Sequence, residues 1–163
     1  LNIPPTLLLL VINIKENKAV FVVFSGKSIL FTCSFSTLLK KPVKAVTAKP
    51  QDVKQENSQA EDASLKNLAS EIKKYLDFCQ GHVSSDYLEQ NCKSVKILLC
   101  GDATNYKNIT DFLSKELGIP VEYGNPWINI FSTPPKKDIF NYKKDSLPFT
   151  TAIGLALRGF KEK

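Results

Sequence analysis

Three apolar stretches rich in β-branched and aromatic residues, 7–14, 19–24 and 28–33, open the chain, parted only by Lys15, Glu16, Asn17 and Lys18 and then by Ser25, Gly26 and Lys27. Breaks that short cannot hold a crossover helix, so these strands must reverse direction and pair as an antiparallel meander. The first stretch has Asn13 inside it and falls far short of the roughly 20 apolar residues that span a bilayer. It also lacks the basic segment before it and the small-residue cleavage site after it that mark a secretory signal. With 163 residues, the chain has material for one packed domain and too little for two ordinary ones. Position 1 is Leu and the sequence contains no Met, which reads as a fragment or processed piece.

Beyond the meander (residues 1–35), apolar periodicity disappears over residues 36–62, where Lys, Gln, Glu, Ser, Pro42 and Pro50 collect; this reads as a polar linker or reduced insertion. Residues 63–163 form the α/β remainder. Leu65, Leu68, Ala69, Ile72, Leu76 and Cys79 recur at helical spacing, with Ser64 as the candidate cap and Gly81 as the stop. Residues 95–100 have strand length. Asn108 is a candidate cap for a second helix with the stripe Ile109, Phe112, Leu113 and Leu117, stopped by Gly118. Residues 119–123 read as an edge strand because Pro120 lacks a ladder donor, and 124–145 as an extended loop. Ser146 is a candidate cap for a last helix over 147–158 whose apolar residues cover most of its circumference, which predicts burial between layers. The order β-β-β-α-β-α-β-α with a mixed sheet is that of an RNase H-like unit, the half-domain of actin-type ATPases.

The formal charge is +6, and eight of the lysines stand among residues 1–60 against three acids. Arg158 is the sole arginine, which disfavours sequence-specific nucleic-acid readout, since that leans on the bidentate guanidinium. The lysines between 40 and 54 leave a Lys-rich nucleic-acid module as a distant alternative. Cys79, His82, Cys92 and Cys100 could be assembled on paper into a zinc site, but Cys100 ends an apolar run and Cys79 continues a helical stripe, so both read as small core side chains. His82 is the one histidine and reads as a loop residue, which leaves no nucleophilic triad. A metal-dependent nuclease would need a carboxylate where Asn13 stands; Glu16 and Asp102 alone make no triad.

Several stretches are similar to the end of type IV pilus assembly proteins of the PilM type, actin-like relatives of the cell-division protein FtsA. They are residues 95–101 (VKILLCG), 109–122 (ITDFLSKELGIPVE), 124–130 (GNPWINI) and 146–159 (SLPFTTAIGLALRG), joined by 71–82 (EIKKYLDFCQGH). Residues 7–35 resemble the second phosphate-loop hairpin of that family more loosely. The resemblance implies an actin-like lobe and places the nucleotide site at Asn13, Lys15, Lys18, Gly101, Asp102 and Ala103. It also implies residence at the cytoplasmic face of the inner membrane, without insertion into it. The partners it implies are pilus inner-membrane platform proteins, a bitopic PilN-type protein among them, and a further copy of the chain.

The departures bear on activity. Where the family carries an Asp-Ile-Gly-x-x-x-Thr motif, this chain has Asn13, Ile14, Lys15 and Ala19, losing the acid, the glycine and the hydroxyl together. Where the family has a Gly-Gly pair, Gly101 is followed by Asp102. The expected function is therefore a scaffold acting by protein contacts, with ATP and Mg bound weakly or not at all and no catalytic residue or metal. The family's first half, with its first phosphate loop, has no counterpart in this sequence. The alternative is a competent actin-like ATPase whose first lobe lies outside this sequence.

Overall fold

The computed structural model describes residues 7–26, 28–37, 53–82, 94–128, 130 and 144–161. Its described strands form one five-stranded sheet in the order β3-β2-β1-β4-β5. Strands β1 (Leu7–Lys15), β2 (Lys18–Ser25) and β3 (Ser28–Ser36) make the antiparallel meander. Strands β4 (Ser94–Gly101) and β5 (Val121–Tyr123) join parallel to β1 and to each other in turn. Each parallel addition follows a helix, α1 (Val53–His82) before β4 and α2 (Ile109–Leu117) before β5, as a crossover requires. A 3-10 turn, Leu147–Phe149, leads into α3 (Thr150–Lys161).

The central place of β1 explains its composition. Leu8, Leu10, Ile12 and Ile14 point to one side and are at most 3% exposed, while Leu9 on the other side is 2% exposed. A strand covered on both faces has no use for alternating polar residues. The first side continues through Ala19, Phe21 and Val23 of β2 and Ile97 and Leu99 of β4. Leu65, Leu68, Ala69, Ile72 and Leu76 of α1 and Ile109 and Leu113 of α2 pack against it as one core. Phe21 sits under Tyr75 in an edge-on contact with centroids 5.2 Å apart and beside Phe35 at 4.8 Å. This aromatic cluster ties the long helix to the meander.

Four local expectations change. Helix α1 starts at Val53, inside the stretch read as linker, so Ser64 is interior and not at the helix start. Gln, Glu, Ala and Lys favour helix without needing a buried stripe, which is why periodicity missed this turn of the chain. The same helix runs through Gly81 to His82, so that glycine does not stop it. Asn108 makes no side-chain cap; it adopts the left-handed conformation, φ 54°, which Asn tolerates. Ser146 also makes no cap hydrogen bond: its Oγ accepts from Trp127 Nε1 at 2.8 Å.

That bond pins the loop after β5 to the start of the last helical segment. Ser146→Ala is expected to cost about 1 kcal/mol by removing this acceptor and to red-shift the emission of Trp127, the chain's one tryptophan. An unchanged spectrum and unchanged urea midpoint would show that the indole is held by its packing instead.

The last helix is not buried between layers. Phe149 is 63% and Leu155 65% exposed, and of the α3 residues whose burial is described Thr150, Ile153 and Leu157 are half-buried and none is fully covered. Residues 38–52, 83–93 and 131–143, and with them Cys92, the lysines at 40, 41, 44 and 49, and most of the 124–145 loop, lie outside the described residues.

Candidate functional site

Parallel strands β1 and β4 end side by side, with Ile14 level with Gly101 and Asn13 level with Cys100. In α/β sheets the carboxyl ends of neighbouring parallel strands, where the chain leaves in different directions, form the usual ligand crevice. Here β1 turns back through Glu16 and Asn17 into β2, while β4 turns through Gly101 into a 3-10 turn, Asp102–Asn105. The gap between them is an open groove of about 530 Å³ lined by Lys15, Glu16, Asn17, Lys18, Asp102 and Pro148.

Of the residues singled out from the sequence, Lys15, Lys18 and Asp102 meet on this groove. Gly101, the last residue of β4, precedes Asp102 and is not among the lining residues. Its φ of 73° and ψ of −137° suit glycine alone, and a Cβ there would collide with the Ile14 carbonyl oxygen and Asn13 Oδ1. The glycine is thus required by the close approach of β1. Ala103 is fully buried in the core and does not reach the groove. Asn13 sits two positions before the β1 end, and its Nδ2 donates to Thr151 Oγ1 at 3.3 Å. Its Oδ1 is buried without a hydrogen-bond partner.

Sequence reasoning missed Thr151 and Pro148. Both stand more than a hundred residues from the hairpin they face, and no local pattern marks them. Gly124 is a second close approach: its N–H donates to the Leu99 carbonyl at 2.8 Å, and a Cβ would lie 2.7 Å from Cys100 Sγ. Burial pushes the Cys100 thiol above its ordinary pKa, partly offset by a hydrogen bond with Thr150. It is an inert packing group.

The donor set of the groove is a poor match for a magnesium-bound triphosphate. Lys15 and Lys18 offer two positive charges, but Glu16 and Asp102 set two negative ones beside them. Phosphate cradles use consecutive backbone N–H groups exposed by small residues; this turn carries four side chains of medium or large size. Asn13, which stands where the resembling family's motif has an acid, is a neutral amide that donates to Thr151 and does not line the groove. Among the described residues no group of three His, Cys, Asp or Glu could hold a metal ion, and no helix is long and apolar enough to cross a membrane.

No protein-family model matches the sequence, and no curated protein matches it. Solved structures do. One chain of a PilM-PilN type IV pilus biogenesis complex superposes with a TM-score of 0.68 at 19% identity, over 95% of this chain and 46% of that one. A Ppx/GppA family member from Aquifex aeolicus superposes with a TM-score of 0.43 at 18% identity, over 74% of this chain and 35% of that one. This chain thus spans less than half the length of either. With the strand order and crossovers above, the first superposition shows an α/β fold of the actin-like, RNase H-like kind.

Proposed function

We propose that this chain is part of an actin-like scaffold for type IV pilus assembly, working through protein contacts at the cytoplasmic membrane face and not through nucleotide turnover. The observation that carries the reading is the superposition of 95% of the chain on a protein solved as a PilM-PilN complex. The altered groove supports the second half of it: Asn13, Lys15 and Asp102 replace the acid and the glycines that the family's nucleotide site uses. The partner class is a pilus inner-membrane platform protein, with a bitopic PilN-type protein first among them.

Calorimetric titration separates this reading from the ATPase alternative. The expected result with Mg-ATP is no heat or millimolar affinity, alongside measurable binding to the cytoplasmic segment of a PilN-type protein. Micromolar Mg-ATP binding would instead favour an ATPase completed by a second lobe.

A scaffold built from this chain needs something over its last helical segment, where Phe149 of the 3-10 turn and Leu155 of α3 stand in solvent and Ile153 and Leu157 are half-buried. The chain alone is therefore expected to bind an apolar dye several-fold more strongly than a compact control of equal size. Phe149→Ser with Leu155→Glu should remove most of the excess. Dye binding at the control level would mean that this face is already covered.

A further inference from the structure

The two edges of the sheet are protected very differently. Strand β5 is three residues long, follows Pro120, and carries Glu122 in an ion pair with Lys96 at 2.8 Å. Shortness, proline and charge are three of the devices that keep an edge from pairing with another chain. Strand β3 has none of them. It runs nine residues, Ser28–Ser36, with no charge and no proline, and no strand borders its outer side among the described residues.

Its outer ladder is regular only in part. The pairing of β3 with β2 shifts between Val23 and Phe24, so Leu30 is skipped while Phe31 to Ser36 pair without a break. A second strand added to the edge finds a uniform template only in that regular stretch. We propose that β3 pairs with β3 of a second copy of this chain, antiparallel about a twofold axis at Cys33. Twofold registers centred at Cys33 or at Ser34 both keep five pairs inside the regular stretch; centring at Ser34 would set Cys33 opposite Phe35 and lose the aromatic pairing, and centring at Thr32 would draw in the irregular start.

The register is chemically self-consistent. It sets Phe31 opposite Phe35 of the copy, twice, on the side where both rings already pack near Tyr75, and aromatic cross-strand pairs stabilise a sheet. On the other side it sets Thr32, exposed, opposite the exposed Ser34 of the copy, a hydroxyl pair that bonds across strands. No like charges meet, although the chain as a whole carries +6, whereas a partner strand bearing acids or lysines would find no complementary charge on this edge. The copy is the occupant that the strand itself specifies. Directly opposed residues in such a ladder have Cα atoms about 4.5–5.5 Å apart, which lies within the span a disulfide bridges. Each Cys33 thus faces the other.

Sedimentation equilibrium of the whole chain over the micromolar range is expected to show a mass rising from 18.2 kDa towards twice that value. Diamide, which takes two hydrogens from a thiol pair as the disulfide forms, should convert the pair into a covalent dimer. Cys33→Ser should lose the covalent product and keep the reversible one. Thr32→Lys with Ser34→Lys sets lysine opposite lysine on the solvent side and should abolish both while leaving the monomer's thermal melting unchanged. A single 18.2 kDa species at every concentration, association indifferent to the lysine pair, or a covalent dimer that forms equally well without Cys33 would each overturn the assignment.

Discussion

Gly101→Ala is expected to lower the unfolding free energy by about 3 kcal/mol or more, a large share of the 5–15 kcal/mol typical of a domain. Two costs combine. The backbone at φ 73° and ψ −137° is closed to an L side chain, and the added methyl would run into the Ile14 carbonyl oxygen and the Asn13 amide oxygen. Backbone and a packed amide cannot yield as the tip of a flexible side chain can, so β1 and β4 would have to part where they form the groove. Gly118→Ala is the control. Its φ is also positive, 66°, but no atom lies within 4 Å of the new Cβ, so strain alone applies and about 1 kcal/mol is expected. Urea unfolding of the two variants side by side decides the matter. Equal midpoints would mean that β1 does not approach the turn as closely as described.

Phe21→Ala is expected to cost about 3–5 kcal/mol, the range for removing a large aromatic from a filled core. Phe21 is fully buried and is the ring that both Phe35 of β3 and Tyr75 of α1 lean on. Removing it opens a void between the meander and the long helix. Phe21→Leu, which keeps most of the volume, should cost under half as much. The measurement is the urea midpoint, with far-UV circular dichroism to confirm that helix and sheet unfold together. A loss below about 1 kcal/mol would show that α1 is held to the sheet elsewhere along its length.

How much of this was legible beforehand differs from element to element. The meander followed from two turns too short for anything else, whereas the cover on both faces of β1 became visible only in the structure. The stripe from Leu65 to Leu76 identified the helix face that is buried, yet not where the helix begins, because solvated turns between 53 and 63 show no period. Burial of the last helix was read from its apolar circumference; composition shows that such a surface wants covering and cannot show whether the chain itself supplies the cover. Resemblance picked out Asn13, Lys15, Lys18, Gly101, Asp102 and Ala103. The structure gathers Lys15, Lys18 and Asp102 on one groove, sets Gly101 against the Ile14 carbonyl, turns Asn13 to Thr151, and sends Ala103 into the core.

The sequence by itself determined the order of strands and helices, the strand reversals and the buried stripe of α1, since these depend on spacing between near neighbours. The tertiary structure alone decided that Glu16 and Asp102 share a groove with two lysines, that Thr151 holds Asn13, and that β3 stands at an edge without charge. Each of those depends on the parallel register of strands separated by dozens of residues. Local pattern says nothing of that alignment, because it is fixed only when distant segments bury their apolar faces together.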